Sequence, residues 1–278
     1  MMPAIVFLCI VVGVVVGYTV VSRRHRSNYL ALTEYWVYIP DERLPSQEAI
    51  MRLMAKESPF ELDGRIPITP KEAILFSDVR LDMALVLRSK NPHVFRPDQF
   101  GEHIQMEPGL QSSLQSSNAM VKLRYASDRP LSNRIHLQFM TYLADAVAEI
   151  GHGSAIFDAK ADMLMSRGTL RRLLYDNFDA TVPDLHVHVV WKSTPQRGHV
   201  ETKGLIKIGC AELKTKDVTN DQRIIATSII GEAVRHIWES QTIPQTMDLE
   251  IYNDTFHLIF DPAKDSVAQV AIQRVQKN

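Results

Sequence analysis

The feature that most limits what this chain can become is an uncharged apolar run from Ala4 to Val21, closed by Arg23-Arg24-His25-Arg26. About 20 apolar residues cross the hydrocarbon core of a bilayer as one helix, so Pro3–Ser22 is just long enough. The cationic cluster lies immediately C-terminal, and the positive-inside bias places that end, with everything after it, in the cytoplasm. A cleavable signal would need a basic start, a shorter apolar core and a small-x-small site. Met1-Met2-Pro3 has no basic side chain, Gly17-Tyr18-Thr19 is a poor cleavage site, and Leu8 before Cys9 does not suit a lipoprotein. The expectation is a transmembrane anchor at 1–26 in a single-pass protein of the cell membrane. Gly13 and Gly17 form G-x-x-x-G, the spacing at which two helix backbones approach closely in lipid. A homodimer through that helix is one reading; glycine common to any membrane helix is the other.

Composition narrows the rest. A hydrophobic content of 45% and a charged content of 23% are those of globular protein, not of a disordered chain. Of 31 basic residues, removing Arg23, Arg24 and Arg26 leaves 28 against 32 acidic ones, a net charge of −4. That balance speaks against nucleic-acid binding, which needs a basic face. Cys9 in the apolar run and Cys210 far downstream offer no disulfide framework, in keeping with a reducing compartment.

Periodicity then divides the chain. Residues 27–104 read as an N-terminal α+β region. Glu34-Tyr-Trp-Val-Tyr-Ile39 has strand composition, Ser46 caps a helix to about Lys56, and Met83–Leu87 is a buried strand. Residues 105–118, with a Gln/Ser-rich run, read as a linker or mobile loop. Residues 119–278 read as a C-terminal α+β domain. Met120–Tyr125 is a strand, and a helix from Ser132 to about Ile150 buries Phe139, Leu143 and Val147 at 3.6-residue spacing. Ser154–Phe157, Leu185–Trp191 and Leu205–Cys210 supply strands, and Thr219-x-x-Gln222 opens a helix to about Ser240. Met247–Tyr252 and Thr255–Phe260 form a hairpin, and Asp265–Gln276 is expected as a closing surface helix. The fold class is α+β: an antiparallel or mixed sheet with two long amphipathic helices, preceded by one N-terminal transmembrane helix. Tyr38-Ile-Pro-Asp41 and Tyr125-Ala-Ser-Asp128 each join a strand to a helix, as a duplicated unit or as generic turn chemistry would.

Few residues suggest chemistry. No dinucleotide or phosphate loop, H-E-x-x-H or G-x-S-x-G occurs, and no cofactor is implied. His186 and His188 alternate on the expected strand and His199 lies across its turn, so the three are candidate metal ligands. Asp145 and Glu149 are four apart on one helix face, read as solvated, while Asp158 at a strand end is the better acid–base candidate. Leu110 and Leu114 sit four apart in the Gln/Ser run, where they would anchor a short helix in a partner's groove; a passive connector is the plainer alternative. Cys210 reads as a buried structural thiol.

Short motifs between Met120 and Phe260 resemble an uncharacterised bacterial family of domains of unknown function. They are Leu143-Ala-Asp-Ala-Val-Ala-Glu-Ile150, Ala155-Ile-Phe-Asp158, Thr202-Lys-Gly-Leu205, Gly209 and Glu212-Leu213. The resemblance implies an α+β domain and no assigned activity. Its Thr-x-Gly-Leu element carries His where this chain has Lys203, so any role of that His is lost here. The expectation is a membrane-anchored cytoplasmic protein-interaction module, an accessory subunit of an envelope complex with a protein partner. The alternative is a membrane-associated hydrolase or metal-dependent enzyme using the histidines.

Overall fold

The structure is a computed structural model that describes residues 31–57, 79–100, 109–128, 131, 133–176, 180–261 and 266–275. It is α+β, with one antiparallel and one mixed sheet and several helices. The expected anchor, with Gly13 and Gly17, lies outside the described residues. Among those described, no helix is long and apolar enough to cross a membrane.

The first lobe is built on β1 (Ala31–Ile39). Its aromatic and β-branched residues are buried on both faces, with Val37, Tyr38 and Ile39 fully enclosed. Such a strand needs cover above and below. Helix α1 (Gln47–Glu57) follows, then β2 (Val79–Leu87), a short helix α2 (Leu110–Ser116) and β3 (Ala119–Ser127). Helix α3 (Ile135–Ile150) leads to β4 (Ala155–Asp158) and β5 (Met163–Ser166). The sheet order is β2-β3-β1-β4-β5, every neighbour antiparallel, with Tyr35 opposite both Leu123 and Asp158. The first four strands and α1 and α3 thus follow the split β-α-β layout of ferredoxin-like folds. In it β1–α1 and β3–α3 occupy equivalent places, the two stretches whose sequences echo each other.

Alternation along β1 separates two cores. Tyr35, Val37 and Ile39 pack against Ile50 of α1 and Met140, Leu143 and Val147 of α3. Tyr38 faces the other way, onto Phe95, Phe100, Leu110 and Leu114. The expectation of a linker or mobile loop over 105–118 is therefore corrected for 109–118; 105–108 lie outside the described residues. Residues 110–116 are helical, and the leucines' four-residue spacing puts both into this core at 2% and 0% exposure. Arg88 fastens the helix, donating from Nε to the Ser117 carbonyl at 2.6 Å.

After α4 (Arg167–Asp176) and a single turn α5 (Pro183–His186), the second lobe begins with β6 (His188–Ser193) and β7 (Arg197–Lys203). Then come β8 (Glu212–Thr215), β9 (Val218–Thr219), helix α6 (Arg223–Ser240), β10 (Thr246–Ile251), β11 (Asp254–Phe260) and β12 (Val267–Val275). The order is β10-β11-β12-β8-β7-β6, with β9 also on β7; only β12 and β8 are parallel. Ile229, Ile230, Ala233 and Ile237 of α6 close the core over Leu213, Leu258 and Val270.

Three expectations change here. Leu185–Trp191 is not one strand, because Pro183 starts a helical turn that carries Leu185 and His186. Leu205–Cys210 is a 3-10 turn between Gly204 and Gly209, which have φ +119° and +79°, backbone that ends a strand. The closing segment is β12, not a surface helix: its alternating Ala268 and Val270 are buried between β11 and β8. The hairpin stands, turning through Tyr252 and Asn253 at φ +52° and +68° rather than through Asn253-Asp254.

Candidate functional site

The two lobes meet where the turn 205–208 rests on β1. Glu212 shapes that turn: its Oε1 accepts the Gly204 and Ile206 amides at 2.8 and 3.2 Å, and its Oε2 accepts the Thr202 hydroxyl at 2.8 Å. Gly204 is required there, since a Cβ would lie 2.1 Å from the His186 carbonyl oxygen. The turn so fixed sends Lys207 through the seam, and its ammonium pairs with Oδ2 of Asp158. Both side chains are shut away from solvent, at 0% and 1% exposure. Oδ1 of Asp158 accepts the Lys160 and Ala161 amides at 3.2 and 3.1 Å. The carboxylate is therefore served on both oxygens, as a buried charge demands.

Aromatic groups border the pair and the turn that carries it. The Tyr35 ring lies 5.5 Å from Nζ of Lys207. His186 donates from Nε2 to the Ala180 carbonyl at 2.7 Å, which leaves Nδ1 as an acceptor 3.5 Å from Nζ. Its ring stacks on Trp238 at 5.8 Å, and Trp238 donates to the Thr181 carbonyl at 2.7 Å. His136 donates from Nε2 to the Lys207 carbonyl at 3.0 Å and stacks on Tyr125 at 4.9 Å.

Burial governs the acidities. It lowers His186 well below an ordinary imidazole, helped by the Lys207 charge. Burial likewise takes His136 down to about 4. Loss of solvent also lowers Lys207, against the opposing pull of Asp158. The Tyr35 phenol is raised by burial and then by the Asp158 charge. Neutral imidazoles around one ion pair fit a junction that holds two lobes together.

The sequence-derived metal site is corrected by this geometry. His186 sits on a helical turn with its ring committed inside. His188 and His199 belong to neighbouring strands, but His188 is opposite Lys203 and His199 opposite Lys192. That offset of four positions is about 13 Å along the ladder, too far to share an ion. Nε2 of His199 instead lies 3.4 Å from Glu201. No group of three or more potential ligands occurs among the described residues. Leu110 and Leu114, expected as a partner hook, are spent on the first lobe's core.

Asp145 departs from the solvated-face reading. It is 4% exposed and paired with Arg167 at 3.0 Å and Arg171 at 3.1 Å, so it clamps α4 onto α3. Asp158 is enclosed as well, and neither its partner Lys207 nor the stacking His136 stands out in the sequence. The two glycines around Leu205–Ile208 were the available signal for a turn. The short motifs 155–158, 202–205, 209 and 212–213 all converge on this junction.

An open feature lies on the second lobe. A cleft of about 510 Å³ runs between the first half of α6 and the edge of β12, floored by Ile225, Ile229, Phe256 and Ile272. Ile224, Tyr252 and Val275 are exposed large apolar residues of the same lobe and lie outside the cleft's lining. Arg274 bonds both oxygens of Asp254 at 2.6 Å and Lys216 lies 3.5 Å from Asp261, while Asp217 also lines the cleft. No protein-family model, curated protein or solved structure matches the chain.

Proposed function

We propose that the protein is a membrane-anchored interaction module, held by the helix at residues 1–26 with its two lobes in the cytoplasm, that binds a protein partner as an accessory subunit of an envelope complex. The observation that carries this reading is the apolar cleft beside β12, open to solvent while Lys207, Asp158 and His186 are sealed. An exposed apolar surface rimmed by polar groups is what protein recognition uses. The anchor follows from the apolar run and its arginine stop, and Gly13 and Gly17 would bring two anchors together.

Native membranes carrying the tagged full chain provide the test. Protein recovered with the tag should include a membrane component that is lost when Ile225 and Ile272 are both changed to Asp, with unfolding still cooperative. Recovery unchanged by that pair, or a chain found wholly outside the membrane fraction, sinks the reading. A reporter fused after Asn278 that works only in the cytoplasm should be active; activity only of one requiring export overturns the orientation.

A further inference from the structure

The cleft has a backbone side, and that side states what kind of partner fits. β12 and β8 run parallel, and their ladder ends where the Lys216 amide donates to the Val270 carbonyl at 3.1 Å. Beyond it the chain turns away from β12 to pair Val218 and Thr219 with β7, so the sheet divides. Peptide groups alternate sides along a strand. The Gln269 carbonyl accepts from Asp261 on the β11 side, and the Val270 carbonyl accepts from Lys216 on the β8 side. Ile272 and Arg274 therefore turn both N–H and C=O into the cleft. Neither has a backbone partner there among the described residues.

We propose that this cleft receives an extended segment of the protein partner as an added strand alongside residues 271–275, its alternate apolar side chains seated on the partly buried Ile225 and Ile272. The proposal rests on the interaction-module reading and names the form of the ligand. Two donors and two acceptors spaced along one edge are satisfied by another extended backbone. A helix keeps its own peptide groups bonded within itself, and an acyl chain has none to offer. The charge pattern limits the guest: Arg274 pairs with Asp254 and Lys216 with Asp261, which leaves Asp217 as the lining charge, so the face seated on the isoleucines should be apolar and carry no acidic residue.

A displayed library of short random peptides, selected on the detergent-solubilised full chain, tests this. Recovered peptides should alternate apolar and polar residues. Arg274→Pro, which removes one cleft-facing N–H, should weaken the best of them at least about tenfold, equivalent to ~1.4 kcal/mol. Arg274→Ala, which keeps that N–H, should bind like the parent, and the thermal unfolding of both variants guards against a folding artefact. N-methylation of the peptide at every second residue should abolish binding in one phase and spare it in the other. Apolar residues recurring every three or four positions, no enrichment, or equal binding by both Arg274 variants overturns the strand. A membrane partner still recovered with the native chain in that event would leave the module reading standing and remove only the strand.

Discussion

Asp158 and Ile272 each mark a place where strand pairing gives way, and the molecule treats the two in opposite fashion. At Asp158 the end of β4 is closed over by a turn from the other lobe, and donors and acceptors are matched inside the protein. At Ile272 the neighbouring strand leaves, and peptide groups remain turned to a wet, apolar-floored gap. An unmatched polar group is costly when buried and cheap when solvated. The first place must be finished by the fold itself; the second is free to be finished by something else.

The sharpest way to break this contrast is Lys207→Met. Removing one partner of a buried pair leaves a stranded charge and should cost about 3–5 kcal/mol in urea unfolding. Adding Asp158→Leu should restore much of it, and a loss under about 1 kcal/mol from the single change would show that the seam is wetter than its burial says.

Acid should also act on the seam first. His136 titrates near 4 in the folded chain against 6.5 unfolded, so it is neutral in both states at pH 7. As pH falls from about 6.5 towards 4 the unfolded chain binds the extra proton, and stability drops by up to roughly 3 kcal/mol before levelling. His136→Gln should flatten that part of the profile, leaving the share that His186 contributes with the same sign. An unchanged slope would exclude His136 as its source.

Gly204→Ala probes the turn that presents Lys207 and should cost about 1–3 kcal/mol through strained backbone alone, with further loss from its approach to His186. Gly231→Ala is the control, since nothing lies within 4 Å of the added carbon. The smallest effects belong to the second lobe's surface: Ile224→Ser on α6 and Gln273→Lys in the cleft should each change stability by less than about 0.5 kcal/mol. A larger loss there would mean that the cleft rim is part of the fold's own support.

How much of this could be read beforehand varies with the physics of each segment. α1, α3, α6, β1, β3 and the 246–260 hairpin declare themselves, because one buried face imposes a period and turns demand particular residues. β12 does not. Val267, Val270 and Ala271 fall at helical spacing while Ala268, Val270 and Ile272 alternate, and only the neighbours β11 and β8 decide. Leu110 and Leu114 sit four apart in a run whose composition reads as a loop, and nothing local says that such a pair folds onto its own core rather than onto a partner. Asp158 was legible as a candidate; its partner lies 49 positions away in sequence, and Lys207 between isoleucines reads as the solvent-facing residue of a strand. Pairings of that kind are tertiary.

The seam also sets an order of events during synthesis. Every strand of the first sheet has been made once Ser166 is complete, yet its Asp158 has no ammonium to meet until Lys207 follows. β1, the earliest strand, must likewise wait for β3 and then β4 before both its edges are filled. A nascent first lobe therefore carries an uncompensated carboxylate through much of elongation, and contacts so distant along the chain are slow to gather. A gene cut between the lobes would yield a first half whose Asp158 keeps water in place of an ammonium and whose β4 end stays uncovered.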